Sequence, residues 1–162
     1  NQDIFNAYGR TEKKDVTRLL FTGKVAEKKG VMSLLKCLNK LEFKEDELTL
    51  TLVGGAGNEE EYGIIKKLAK NCKYKVEFTG RLTPTEVADR YRSSDVFVLP
   101  SFFDAIPLVV IEALACGMKV QKLNRVRIVN IKLDGLALGD YRNLSDEEVK
   151  KLYKELGIRE NG

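Results

Sequence analysis

The chain contains no histidine among its 162 residues. It therefore cannot supply an imidazole base, a His-ligated metal or a Ser-His-Asp triad. Cysteine is scarce: Cys37, Cys72 and Cys116 lie far apart, with no CxxC spacing. Each falls in an apolar helical pattern, so reduced core thiols in a cytoplasmic protein are expected. Long apolar runs are missing too, and Leu108–Ile111, among the longest, is far too short to span a bilayer. The first residues, NQDIFNAYGR, carry no basic-then-apolar leader pattern. Nor does one sign of charge dominate. With 28 basic and 24 acidic residues interspersed, the net charge of +4 is too mild to indicate nucleic acid, though it suits a local anion site or an anionic membrane surface.

What is present is an ordinary globular composition, 43% hydrophobic and 32% charged, in a chain long enough for one domain with a sizeable core. Strand and helix patterns alternate. Thr17–Thr22 reads as a short strand ending at Gly23. Val31, Leu34, Leu35, Leu38 and Leu41 recur at helical spacing in a helix from Lys29. Residues 47–53 alternate into a second strand that meets GGAG, and a helix follows over about 58–72. Lys75–Thr79 is a third strand, stopped by Gly80. Thr83 and Glu86 form a capping box, with Pro84 at the first helical position. Val96–Leu99 is continuously apolar, as expected of a strand buried on both faces of a parallel sheet. The order predicts an α/β fold: a Rossmann-like, doubly wound parallel sheet flanked by helices. In the tail, residues 125–133 alternate like a strand. Ser145–Leu156 reads as a helix with a second capping box, Ser145 with Glu148.

Residues 102–117, FFDAIPLVVIEALACG, pose the chemical question: a greasy helix from Pro107 holds Glu112 as its only charged side chain, with Asp104 eight positions before it. An all-apolar helix is expected to be wedged between the sheet and other elements. A carboxylate in such a place needs hydrogen-bond donors. Glu112 either reaches solvent or a lysine, or accepts two hydroxyls of a ligand. The helix start favours the second. The amides of Leu108 and Val109 have no intrahelical partner, and a helix N-terminus at the carboxyl edge of a parallel sheet suits phosphate. Glu112 lies roughly 7.5 Å further along the axis, so one nucleotide would put its diphosphate at the helix tip and its ribose diol at Glu112.

These residues carry a resemblance. PSFFDAIPLVVIEALACG resembles the E-x7-E segment of family 4 retaining glycosyltransferases, which are of the GT-B class. FTGKVAEKKG, LTLVGGAGNEEE and VEFTGRLTPTEVADRYRSSDVFVLPS resemble that family's upstream segments, in order, over about residues 17–120. The resemblance implies the donor-binding half of an enzyme that binds a UDP- or GDP-linked sugar. It would transfer that sugar, with retention, in cell-surface polysaccharide or glycolipid synthesis. It implies that Glu112 binds the ribose hydroxyls and Asp104 the donor sugar, the two carboxylates at the chemistry. Gly23 would belong to the donor site, Lys24 beside it and Lys29 further on would grip the diphosphate, the amides of Leu108 and Val109 the distal phosphate, and the backbone around Leu82 the base. It also implies metal-independent chemistry, with no cofactor beyond the sugar nucleotide. The acceptor site would lie on an N-terminal domain of the full-length protein, with residues 1–16 as the linker and 17–162 as the nucleotide-sugar domain.

The chain departs from the pattern where Lys24 replaces Arg and loses the bidentate fork, and where Asp104 replaces Glu. After Gly117, MKVQKLNRVRIV departs at Gln121. GGAG reads as a structural turn, because Glu59, Glu60 and Glu61 follow it and repel an anion. The lysines of KKLAKNCKYK suit a solvated face, or a peripheral contact with an anionic membrane. The competing readings are a non-catalytic nucleotide-binding module, an epimerase-like half, and a scaffold with a degenerate site.

Overall fold

The computed structural model describes residues 3–10, 15–101, 108–119, 127–128, 130–132, 135–136 and 141–156. The chain forms two compact units, Asn1–Val120 and Gln121–Gly162. In the first, β1 (Thr17–Thr22), β2 (Leu48–Val53), β3 (Lys75–Gly80) and β4 (Val96–Phe97) make one parallel sheet in the order β3-β2-β1-β4. Helices α1 (Val31–Leu38), α2 (Glu59–Lys70), α3 (Pro84–Ser93) and α4 (Leu108–Ala115) follow the strands in turn.

Strand periodicity sends alternate side chains of β1 to opposite faces. Leu19 and Phe21 pack with residues of α1 and α2, whereas Leu20 packs with residues of α3 and α4. Helices thus cover both faces, and the Rossmann-like α/β architecture is present. Leu20, Phe21, Leu50 and Leu52 are fully buried, each stabilising the fold by about 1.5–3 kcal/mol relative to exposure. Asp95 clamps β4 to β1: its carboxylate accepts the Arg18 amide at 2.8 Å and the guanidinium at 3.0 Å. The capping box of α3 forms as expected, with the Thr83 amide donating to Glu86 at 2.8 Å.

The N-terminal stretch packs onto the same body. Ile4 and Phe5 join the cluster under α3 and α4, and the Arg92 guanidinium donates to the carbonyls of Ile4 and Asn6. Arg10 reaches the carbonyls of Ser94 and Cys116.

Several expectations are corrected. Helix α1 starts at Val31 rather than Lys29, because Gly30 at φ +75° separates it from a 3-10 turn at Glu27–Lys29. It ends at Leu38, which leaves Leu41 partly exposed. Strand β4 is an edge strand among the described residues, so Val96 is 45% exposed rather than buried on both faces. Its pairing continues one step through the Val98 amide, which donates to Leu20 at 2.8 Å. Of the cysteines only Cys116 is buried, and burial pushes its thiol up; Cys72 is half-buried and Cys37 exposed. Helix α4 is not wrapped on all sides: Leu108, Ile111 and Leu114 are 69%, 56% and 45% exposed. Spaced by three, they form one face, while Ala113 turns inward.

In the second unit the strand expected over 125–133 is instead a hairpin. β5 (Arg127–Ile128) and β6 (Ile131–Lys132) pair antiparallel, Ile128 opposite Ile131. Asn130 stands between them, a residue suited to tight turns, and its side-chain amide donates to the Glu148 carbonyl. Glu148 lies in α5 (Asp146–Leu156), where the predicted capping box closes: Ser145 donates to Glu148 at 3.0 Å and receives its amide at 3.2 Å.

Candidate functional site

The chain runs from β1 outward to β2 and β3, then returns to add β4 on the other side of β1. That reversal opens a crevice at the carboxyl ends of β1 and β4, the position where open α/β sheets bind ligands. The residues gathered at this edge are those singled out by the sequence. Gly23, at φ +141°, leaves β1 and donates to the Val53 carbonyl at 2.9 Å. Lys24 follows, exposed, and the buried Val25 then pins the loop by donating to Gly55. Lys29 is half-buried at the end of the 3-10 turn. Gly54 permits a close approach: a Cβ there would lie 1.8 Å from the Gly23 carbonyl oxygen. The ends of β1 and β2 therefore form a tight, mainly backbone rim.

Beyond β3, Leu82 packs against the cluster under α3 and α4. The preceding Arg81 lies over Gly55, where a Cβ would meet its Nε at 3.0 Å. At GGAG two first-turn amides of α2 are already occupied, because Asn58 accepts from Glu60 and Glu61. The Glu61 carboxylate in turn accepts the Glu27 amide. These contacts favour a structural turn over a phosphate cradle.

The first turn of α4 holds Leu108, exposed, and Val109, half-buried. Glu112, also half-buried, lies one turn further in. Among the described residues it has no ion-pair partner, so a lysine does not neutralise it there. Its one hydrogen-bond donor is the hydroxyl of Tyr91, 3.4 Å from Oε2. The same hydroxyl lies 3.1 Å from the Val109 carbonyl and 2.7 Å from Oγ1 of Thr22, the last residue of β1. The Tyr91 ring is fully buried, edge-on to Phe97 at 5.4 Å and Phe5 at 6.4 Å. Burial, with the charge of Glu112 beside it, raises the Tyr91 pKa, so this group stays a neutral donor.

Asp104 and Pro107 lie outside the described residues. The structure thus brings Gly23, Lys24, Lys29 and Leu82 to the same edge as Leu108, Val109 and Glu112. Tyr91 and Thr22 were not singled out in the sequence. The available signal was a tyrosine three residues after Ala88, on the buried face of α3, whose hydroxyl must find a partner. Among the described residues no group of His, Cys, Asp and Glu side chains is arranged to hold a metal ion.

Residues 3–120 match the family model of the glycosyl transferases group 1. The chain belongs to this family. It is 33% identical over 106 residues to a D-inositol 3-phosphate glycosyltransferase of Pseudarthrobacter chlorophenolicus, covering 63% of this chain and 25% of that protein. It is 28% identical over 134 residues to a lipopolysaccharide 1,2-N-acetylglucosaminetransferase of Salmonella typhimurium, covering 76% of this chain and 34% of that one. The chain thus spans about a quarter to a third of the length of these curated relatives. Among solved structures it is similar to WaaG, a glycosyltransferase involved in lipopolysaccharide biosynthesis. That match has a TM-score of 0.54 at 22% identity, covers 65% of this chain and 28% of the other, and shows the fold alone. As a group 1 glycosyltransferase chain, it carries its family match on the first unit, which holds the crevice.

Proposed function

We propose that the first unit is the donor-binding half of a retaining glycosyltransferase and that its crevice takes a nucleoside-diphosphate sugar. The single observation that carries this reading is Glu112. It is a half-buried carboxylate with no cation partner among the described residues, one turn behind the first-turn amides of α4 and beside the switch point of the sheet. Such a group is stabilised by a ligand that brings hydroxyls to it. The ribose diol is assigned to Glu112. The diphosphate is assigned to the amides of Leu108 and Val109, with positive charge from Lys24 and Lys29, so no metal is needed to neutralise it. The backbone at Leu82 takes the base, and Asp104 the donor sugar.

The acceptor is assigned to an N-terminal domain of the full-length protein, in polysaccharide or glycolipid synthesis. The name of the Salmonella relative, a lipopolysaccharide transferase, supports that class of acceptor. The free thiols support a cytoplasmic setting. A non-catalytic nucleotide module would explain the phosphate site but not the need for a second carboxylate at Asp104.

Titration of the chain with UDP and GDP, without divalent metal and followed by amide NMR, tests the site. The backbone resonances of Lys24, Leu108 and Val109 are expected to move together. Their immobility at millimolar nucleotide would overturn the assignment.

A further inference from the structure

We infer that Tyr91 is a positioning residue for Glu112, holding its carboxylate in the orientation that receives the two ribose hydroxyls. The inference rests on the reading of Glu112 given above.

A tyrosine hydroxyl carries one hydrogen and accepts through its lone pairs. At Tyr91 that hydrogen faces two acceptors that cannot donate, the Val109 carbonyl at 3.1 Å and Oε2 of Glu112 at 3.4 Å. Either hydroxyl can donate in the 2.7 Å contact with Thr22, and with the Tyr91 hydrogen engaged by those two acceptors it is assigned with Thr22 donating and Tyr91 accepting. The chain of bonds is therefore directional, from Thr22 to Tyr91 to Glu112 and Val109. Each donor polarises the next, which strengthens the last bond in the series. The path links the end of β1, immediately before Gly23 and Lys24, to the first turn of α4. Both walls of the crevice are tied through one hydroxyl.

Packing alone does not account for this group. A phenylalanine would fill the same space against Phe5 and Phe97, whereas a fully buried hydroxyl costs free energy unless it is bonded. Here it is bonded on every side, and one bond occupies a single oxygen of Glu112. The other oxygen, Oε1, has no partner among the described residues. A carboxylate held by one oxygen and open at the other is oriented for a ligand. A diol needs that orientation, because two hydroxyls at fixed spacing must be met at once.

The test compares UDP and GDP with their 2′,3′-dideoxy diphosphates on the parent chain, Tyr91→Phe, Glu112→Gln and the double variant. The quantity read is the preference for ribose over dideoxyribose. Tyr91→Phe is expected to reduce it about five- to tenfold while leaving affinity for the dideoxy ligand unchanged. In the Glu112→Gln background the same substitution should have no further effect. If Glu112→Gln abolishes the preference and Tyr91→Phe leaves it intact, the positioning role is wrong and the ribose reading survives. If Glu112→Gln leaves it intact, both fall. A second measurement does not depend on the variant folding: the ζ-carbon resonance of labelled Tyr91 in the parent chain. It should shift with the ribonucleotide and not with its dideoxy form, and equal responses to the two would reject the inference.

Discussion

A methyl group on Gly30 would lie 2.0 Å from the carbonyl oxygen of Pro100. The loop after β1 is therefore seated directly on the chain leaving β4, and only glycine permits it. Its φ of +75° imposes a second restriction in the same residue. The sequence FTGKVAEKKG owes its last glycine to this contact as well as to helix initiation.

Gly30→Ala is therefore expected to destabilise the first unit by at least about 2 kcal/mol, from backbone strain plus displacement of the Pro100 segment. Urea unfolding of the two proteins measures it. A loss under about 0.5 kcal/mol, the range of an ordinary surface change, would contradict the close approach.

The second unit offers a prediction in acid. The Arg142 guanidinium donates to both oxygens of Glu148, at 2.6 and 2.7 Å, and with the Ser145 amide holds that carboxyl down to about 2. A carboxyl depressed on folding contributes stability that is fully present above its unfolded value, about 4.3. The contribution is lost as pH falls through about 2. Carboxyl-carbon NMR should find the Glu148 midpoint near the bottom of that window. Arg142→Ala should raise it toward the ordinary range, and an unmoved midpoint would show that the arginine is not the cause.

Much of the first unit was legible because its signals are local. The alternation of β1 and β2, the capping box at Thr83 and the glycines at strand ends each follow from a few neighbouring residues. The failures have a common source in tertiary context. Val96 and the face of Leu108, Ile111 and Leu114 looked buried because apolar residues usually are, but hydrophobicity does not say which neighbours arrive to cover them. Periodicity over 125–133 fitted one strand and two short paired ones equally well. In the site, Glu112 and the α4 amides could be read from helix spacing and chain order. The donor to Glu112 could not, since Tyr91 lies 21 residues away in sequence and is placed, against Thr22 a further 69 residues back, only when α3 folds onto the sheet.

The most direct test of the site is Glu112→Gln, read in affinity and in melting temperature together. The substitution keeps the volume and one acceptor but removes the charge that strengthens bonds to hydroxyls. The predicted result is a loss of nucleoside-diphosphate affinity of about 1.5–3 kcal/mol, with stability unchanged or raised because a half-buried charge has been neutralised. The 2′,3′-dideoxy ligand should bind variant and parent equally. A fall in melting temperature with ribonucleotide affinity intact would contradict this, and would make Glu112 a structural carboxylate of α4.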